Sequence, residues 1–235
     1  MNTIRLATAA AIAALAGTLM AESTGVDVDF SRGKWNKDDF TAVKSWRFSY
    51  IGVFDQIDDA IVNRCPDKSG EDKSGEEIFK KHSNDVYAAI VHKTRLSLGT
   101  TVSSTMMFDH RMAPIIVFAH ELGAAADGTP EFREHWEACL FDKGVNLWHH
   151  TFVEGKQKWS LAASMRLPEK ERFKPNVKYS LSVKVFKDSH GLKCVEISCG
   201  GYSFTHEDQT LPDDFVAGII GCEGRNFFYD FKAVK

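Results

Sequence analysis

One run of alternating residues near the middle of the chain combines side chains that could hold a sugar. The run VNLWHH begins at Val145, and in an extended strand Val145 and Leu147 point to one side. Asn146, Trp148 and His150 then share the other side. Indole rings stack on the C–H faces of sugars, and amide and imidazole groups bond their hydroxyls. We therefore predict Asn146, Trp148 and His150 as substrate-binding residues; the alternative is that Trp148 caps the core at a sheet edge.

Several charged residues lie in apolar surroundings, where an unpaired charge is costly. One interpretation is structural pairing, for example of Arg111 with Glu121 or Asp109. The functional interpretation gives Arg111 the task of neutralising a uronate or sulfate. A base would be His120 or His150, and an acid would be Glu121 or Glu223. Such a set suits lyase chemistry, because removing a proton beside a carboxylate needs a cation on that carboxylate and a base of near-neutral pKa. The candidate catalytic residues are Arg111, His120, Glu121, His150 and Glu223.

Standard catalytic and metal motifs are incomplete or missing. His120 and Glu121 begin an H-E-x-x-H zinc signature, but Ala124 stands where its second histidine belongs. His149 and His150 are adjacent, so in a strand they point to opposite faces and cannot share one metal ion. The sequence contains no G-x-S-x-G motif and no glycine-rich phosphate loop. No metal ligands are therefore assigned from motifs.

Charge and the amino-terminal segment indicate an exported protein. The formal net charge is −3 and the pI is about 6.3, without the basic face that nucleic-acid binding needs. Arg5 precedes an apolar run that ends at Met20, and Ala21 is a small residue at a plausible cleavage point. The run is shorter than the roughly 20 residues of a membrane span. We therefore predict a signal peptide over residues 1–21, a secreted or periplasmic protein, and no membrane span.

The five cysteines are an odd number for an exported chain. Cys194 and Cys199 are five residues apart, which is about 16 Å along a strand, too far for a disulfide between them. Each could pair across a sheet with Cys139 or Cys222, leaving at least one thiol free, and Cys65 is the fifth. Buried, apolar free cysteines are the other interpretation.

The rest of the chain has the pattern of an antiparallel β protein. Short apolar or alternating runs are separated by turns such as Asp142–Gly144 and Glu154–Lys156. Residues 179–185 alternate strictly between apolar and polar types, as a strand with one buried face does. The spacing predicts an all-β, two-sheet sandwich, with a polar lead-in over residues 22–44 and a single domain over residues 45–235.

Three stretches resemble secreted bacterial proteins of the concanavalin A-like lectin/glucanase superfamily. They are SSTMMFDHRMAPIIVFAHEL (103–122), FDKGVNLWHH (141–150) and LPDDFVAGIIGCEGRNFFYDFKAV (211–234). The resemblance implies a jelly-roll sandwich with a polysaccharide or oligosaccharide as partner. Such sandwiches often hold calcium, so the resemblance allows for it, although no acidic loop has EF-hand-like spacing. No other cofactor is expected.

The retaining glucanases of that superfamily carry an E-x-D-x-x-E run, which this chain lacks. Glu131, Glu134 and Glu137 are spaced by threes instead and mostly precede a strand. They would point to different faces if extended, and on one helical turn they would more often form a solvated face.

The leading hypothesis is a secreted carbohydrate-binding or carbohydrate-processing sandwich that contacts a glycan on one concave sheet face. The alternatives are a polysaccharide lyase or glycosidase with a non-standard site, and a non-catalytic structural or adhesion module. Whether the chain is an enzyme, and its oligomeric state, stay open at this point.

Overall fold

The computed structural model of the chain describes residues 25–48, 50–64, 86–109 and 113–235. The candidate signal peptide, Cys65 and Arg111 lie outside the described residues.

The described residues form nineteen strands and two short 3₁₀ turns, Lys37–Asp39 and Glu169–Glu171. The strands are β1 (Val26–Asp29), β2 (Phe40–Val43), β3 (Val53–Ile57), β4 (Ala60–Arg64), β5 (Tyr87–His92), β6 (Leu96–Ser97), β7 (Thr101–Phe108), β8 (Pro114–Ala119), β9 (Leu122–Ala124), β10 (Pro130–Phe132), β11 (His135–Phe141), β12 (Gly144–Val153), β13 (Lys156–Arg166), β14 (Tyr179–Lys187), β15 (Lys193–Cys199), β16 (Tyr202–Glu207), β17 (Asp214–Cys222), β18 (Asn226–Phe228) and β19 (Asp230–Val234). No helix in this part of the chain has the length and apolarity needed to cross a membrane.

Two large antiparallel sheets make up the sandwich, as the strand and turn pattern predicted. Sheet 1 has the order β16–β15–β14–β7–β18–β4–β3, and β19 joins it beside β7 with β1 as its partner. Sheet 2 has the order β13–β12–β11–β8–β17–β5–β2, with β6 paired to β17. Strands β9 and β10 form a separate hairpin. The hairpin turns expected at Asp142–Gly144 and Glu154–Lys156 join β11 to β12 and β12 to β13.

The main core lies between the two sheets. Sheet 1 contributes Val183 and Ile197, and sheet 2 contributes Val145, Leu147 and Trp136. The alternation predicted for residues 179–185 is confirmed, because Leu181, Val183 and Val185 are buried while the residues between them are more exposed. The same is true of Val145 and Leu147 on the inner side of β12.

A second apolar cluster covers part of the outer face of sheet 2. Its buried members include Val117 of β8 and Ile220 of β17, and Phe132 of β10 packs on them, with Phe48 and Leu122 at its edge. Strands β8 and β11 are therefore buried on both faces, along every residue. A strand covered on both sides has no apolar–polar alternation, which is why its sequence pattern is harder to interpret.

The sandwich begins earlier in the chain than the sequence analysis placed it. Residues from the expected polar lead-in form β1, which pairs with β19, and β2, which pairs with β5. Phe30 and Phe40 are buried in the main core. Their burial ties the segment to both sheets despite its many charged residues, because aromatic side chains supply a large apolar area.

The four described cysteines are buried free thiols: Cys139, Cys194, Cys199 and Cys222. The sequence left open either disulfides across a sheet or buried free cysteines. These four cysteines are buried and free, and none of them forms a disulfide.

Candidate functional site

Three neighbouring strands at one end of sheet 2 bring the candidate site together. The antiparallel register places His135 of β11 opposite His150 of β12, and His150 opposite Trp159 of β13. Glu137 lies in the next row, opposite Trp148. Directly opposed residues in a sheet share a face, so these side chains all stand on the outer face of sheet 2.

A pocket of about 220 Å³ opens on this face. Its lining contains the two indoles of Trp148 and Trp159. Five polar or charged residues and four apolar ones complete it: Arg47, Glu137, Asn146, His150 and Glu223, and Ala113, Ile115, Cys139 and Cys222. We call it the tryptophan pocket. A small number of polar groups among apolar walls is the usual composition of a ligand site.

The structure brings together four of the residues singled out from the sequence. Asn146, Trp148, His150 and Glu223 all line the tryptophan pocket. The Asn146 side chain is held by Ser164, whose hydroxyl donates to Oδ1 at 2.9 Å. Asn146, Trp148 and His150 therefore point away from the main core, on the face opposite Val145 and Leu147, as predicted.

His120 and Glu121 lie elsewhere. Both are exposed, immediately after the end of β8, and neither is in the pocket lining. His120 Nδ1 lies 3.1 Å from the carbonyl oxygen of Asp214. Ile115, which does line the pocket, is near the other end of β8. Arg111 lies outside the described residues.

A carboxylate between two imidazoles forms the floor beside the pocket. His135 Nε2 lies 3.3 Å from Glu137 Oε1, and His150 Nε2 lies 3.3 Å from Glu137 Oε2. The two imidazole rings stack with centroids 4.4 Å apart and planes 17° apart. The side chains of His135, Glu137 and His150 are 3%, 9% and 12% exposed. We call these three residues the His–Glu–His cluster.

Hydrogen bonding fixes the tautomer of one imidazole. His135 Nδ1 lies 2.8 Å from the carbonyl oxygen of Arg133, and because a carbonyl only accepts, Nδ1 carries the hydrogen. Burial lowers the pKa of His135, although the Glu137 carboxylate acts in the opposite direction. Burial would also raise the pKa of Glu137, but the imidazoles of His150 and His135 hold it well below its usual range. Glu137 is therefore an anion, and the Nε2 atoms of the cluster face it.

The interpretation of Glu137 as part of a solvated set is wrong. Glu137 is buried because β11 lies inside sheet 2 between β8 and β12, with both faces covered. Glu131 is also buried, and Arg133 pairs with it at 3.0 Å. Only Glu134 keeps an exposed side chain, 51% exposed. The spacing by threes had no structural meaning, since the chain here is extended rather than helical.

His149 confirms that adjacent histidines in β12 point to opposite faces. Its ring stacks on Trp136 in the main core, with centroids 4.4 Å apart, and its Nε2 lies 2.9 Å from Glu134 Oε1. His149 is thus separated from the His–Glu–His cluster by the thickness of the sheet.

Sequence reasoning missed Arg47 and two exposed tryptophans near the pocket. Arg47 follows β2, and its Nη2 lies 3.8 Å from Cys222 Sγ while its guanidinium stands over the Tyr87 ring. Trp46 and Trp159 are 41% and 54% exposed, with ring centroids 6.0 Å apart. The signal available was the adjacent aromatic–basic pair Trp46–Arg47 itself.

A larger but shallower depression lies on sheet 1. Its volume is about 630 Å³, and serines and glycines of β14–β16 and their turns dominate its lining. It contains no indole and no buried ionisable cluster among its lining residues. The tryptophan pocket is smaller, yet it holds the chemically distinctive groups.

Comparisons with known proteins support the fold. A carbohydrate-binding module, CBM66 from Bacillus subtilis, matches with a TM-score of 0.54 at 12% identity, over 84% of this chain and 96% of that chain. The carbohydrate recognition domain of Emp47p matches with a TM-score of 0.50 at 8% identity, over 89% of this chain and 94% of that chain. No protein-family model and no curated protein sequence matches the chain. The fold is thus a concanavalin A-like jelly-roll sandwich, as the resemblance implied.

Proposed function

We propose that this protein binds an oligosaccharide or polysaccharide in the tryptophan pocket. The observation that carries the proposal is that Trp148 and Trp159 line one pocket together with polar side chains on one sheet face. Indole faces give sugars an apolar surface, and Asn146, His150 and Arg47 offer donors and acceptors for hydroxyl groups. The names of the structural neighbours, a carbohydrate-binding module and a carbohydrate recognition domain, agree with this use of the fold.

The size of the pocket suits one sugar ring of a longer chain. Its volume is about 220 Å³. Pockets that hold drug-sized ligands are usually larger, with volumes of at least about 300 Å³. Trp159 and Trp46 are exposed beside it, so neighbouring sugar units would continue along their rings. We therefore expect contact with an internal or terminal unit of a chain rather than enclosure of a whole oligosaccharide.

The test is a glycan array followed by titration calorimetry with the ligands found. Trp159→Ala should weaken binding about 10-fold, the order of one aromatic stacking contact, while leaving the fold intact because Trp159 is exposed. The matched control is Trp35→Phe, since Trp35 packs on Phe30 at the β2 side of the sandwich. Absence of any glycan ligand would leave the structural or adhesion alternative in its place. Equal affinity of Trp159→Ala and Trp35→Phe would reject the tryptophan pocket as the binding site.

Processing of the glycan is a second candidate, favoured by the contact between His150 and Glu137 inside the pocket. An imidazole oriented by a carboxylate is a common general base. Under this proposal His150 removes the proton beside a uronate carboxylate and the glycosidic C–O bond breaks as a C=C bond forms. Glu223, on the same lining, would protonate the leaving oxygen. Release of products from a bound polysaccharide, lost in His150→Ala and kept in His149→Gln, would establish it. Binding without product release by the unaltered protein would reject it.

Export is proposed from the amino-terminal pattern. Expression of the full chain in a bacterium, followed by mass spectrometry of the periplasmic and extracellular fractions, should give a mature chain that begins near Glu22. A full-length chain retained in the cytoplasm would contradict this.

A further inference from the structure

We propose that His135, Glu137 and His150 bind one divalent transition-metal ion of the zinc class. The three residues offer ligand atoms that all lie within 4.8 Å of one another. Two imidazole nitrogens with one carboxylate form a recurrent zinc ligand set that leaves a position open for water or a ligand. This inference does not depend on glycan binding.

The distances are close to those of a metal site. Ligand bonds of about 2.0–2.1 Å in a tetrahedron place neighbouring ligand atoms about 3.3–3.4 Å apart. Both imidazole Nε2 atoms lie 3.3 Å from a Glu137 oxygen. That is longer than a usual charge-assisted hydrogen bond of about 2.7–2.9 Å. The two rings are stacked with planes 17° apart, so binding requires the imidazoles to turn out of the stack until both Nε2 atoms and a carboxylate oxygen point to a single ion.

The hydrogen bond at the far side of His135 is the kind that supports a metal ligand. Because Nδ1–H donates to the Arg133 carbonyl oxygen, Nε2 is the ring nitrogen of His135 that can bind an ion, and it is the one beside Glu137. Metal-binding histidines usually donate their other N–H to a backbone carbonyl or carboxylate in this way.

Two polar atoms close to the cluster lack hydrogen-bond partners. Within the described residues, His150 Nδ1 and Gln157 Oε1 are buried without a hydrogen-bond partner. Gln157 and all three cluster residues line the same small cavity, together with Arg47. Arg47 adds a positive charge that opposes a cation, and Glu137 supplies the negative charge that attracts it. The imidazole ligands favour zinc-like metals over calcium, which takes oxygen ligands.

The test uses untagged protein stripped with a chelator and titrated with Zn²⁺ by calorimetry, in the absence of glycan. The unaltered protein should bind one Zn²⁺ per chain, and Zn²⁺ should raise its melting temperature. Glu137→Gln and His150→Ala should weaken binding at least about 100-fold, more than typical losses from outer-shell changes. His149→Gln is the matched control, because His149 lies on the opposite face of the same strand, and it should bind as the unaltered protein does.

A second readout does not depend on the variants folding. X-ray absorption of the Zn²⁺-loaded, unaltered protein should show two imidazole ligands, further oxygen ligands and no sulfur. Failure to bind Zn²⁺, undiminished binding by folded Glu137→Gln and His150→Ala, or sulfur ligation from the cysteines would each overturn the proposal.

Discussion

At the scale of single residues, one buried amide holds the loop that carries Glu223. Asn63 of β4 is 1% exposed, and its Nδ2 donates to the carbonyl oxygen of Gly224 at 2.9 Å. Its Oδ1 accepts from the backbone N–H of Asn226 at 2.7 Å. The two bonds connect β4 to Gly224, which directly follows Glu223, and to Asn226.

Replacing that amide should destabilise the fold. Asn63→Ala leaves a buried carbonyl and a buried N–H without partners, each costing about 1–3 kcal/mol. We expect a loss of about 2–4 kcal/mol in the free energy of unfolding, measured by urea denaturation. The control is Asn36→Ala, an exposed cap of the first 3₁₀ turn, with an expected loss of about 1 kcal/mol or less. Equal losses in the two variants would show that the Asn63 bonds are unimportant.

The carboxylate of Asp208 makes stability depend on pH. Burial would raise its pKa, but hydrogen bonds from Thr210 and from the Trp136 indole at 3.2 Å hold it below its usual value. Because the folded pKa is lower than the unfolded one, the stabilisation is complete above about pH 4 and is lost as the pH falls through the folded pKa. Asp208→Asn should therefore lower stability at neutral pH and flatten the decline as the pH falls below about 4. Melting temperatures across that range measure this, with exposed Asp38→Asn as control. An unchanged acid profile in Asp208→Asn would contradict it.

The sequence predicted part of the site at this scale, for a physical reason. Asn146, Trp148 and His150 lie on a strand with one buried face, so alternation separated them from Val145 and Leu147. Glu137 and His135 lie on a strand buried on both faces, where alternation carries no information. Their partnership depends on the register of β11 with β12, which no local pattern specifies.

At the scale of elements, a β-bulge decides which residues of β13 reach the pocket. Leu147 pairs with Ala163, but the next residue, Trp148, pairs with Leu161, so Ala162 is an extra residue on β13. Beyond the bulge the alternation is inverted, and Trp159 joins His150 on the outer face. Without that extra residue Trp159 would share the inner face with Ala163. Bulges often re-aim side chains near functional sites, and their presence could not be inferred from the alternation of the sequence.

Two glycines in the hairpins that carry the site should differ in their tolerance of a side chain. Gly144 has φ +143° and an added Cβ would lie 1.9 Å from the Met165 carbonyl oxygen, whereas Gly155 has φ +72° and nothing within 4 Å. Gly155→Ala should cost about 1 kcal/mol through backbone strain alone. Gly144→Ala should cost at least about 3 kcal/mol, because strain and a backbone clash combine. Chemical denaturation of both variants measures the difference, and a Gly144→Ala variant as stable as Gly155→Ala would show that the turn adjusts freely.

At the scale of the whole molecule, the sandwich does not depend on disulfides among its described residues. Cys139, Cys194, Cys199 and Cys222 are buried free thiols. Burial raises the pKa of Cys199 and of Cys222 to about 12, so both stay protonated and weakly nucleophilic near neutral pH.

The thiols of Cys199 and Cys222 should therefore resist alkylation until the protein unfolds. Iodoacetamide at pH 8 should modify them slowly in the native protein and fully in guanidinium chloride, as peptide mass spectrometry can measure. Rapid labelling of either residue in the native protein would contradict the described core.

The overall architecture was more predictable than the site. Strands with one solvent face, such as β14 and β15, alternate clearly, and tight turns with glycine mark their ends. The strands of residues 22–44 were not predicted because β1 and β2 are short and are flanked by charged residues. Their burial is explained by their pairing with β19 and β5, which are distant in the sequence. Pairing between distant strands therefore limits what sequence reasoning can recover.

The most direct test of the central claim is a crystal structure of the protein with an oligosaccharide found by the glycan array. The account predicts a sugar ring stacked on Trp148 or Trp159, with hydroxyl groups bonded to Asn146, His150 or Arg47. A sugar bound in the depression over β14–β16, with the tryptophan pocket unchanged, would contradict it.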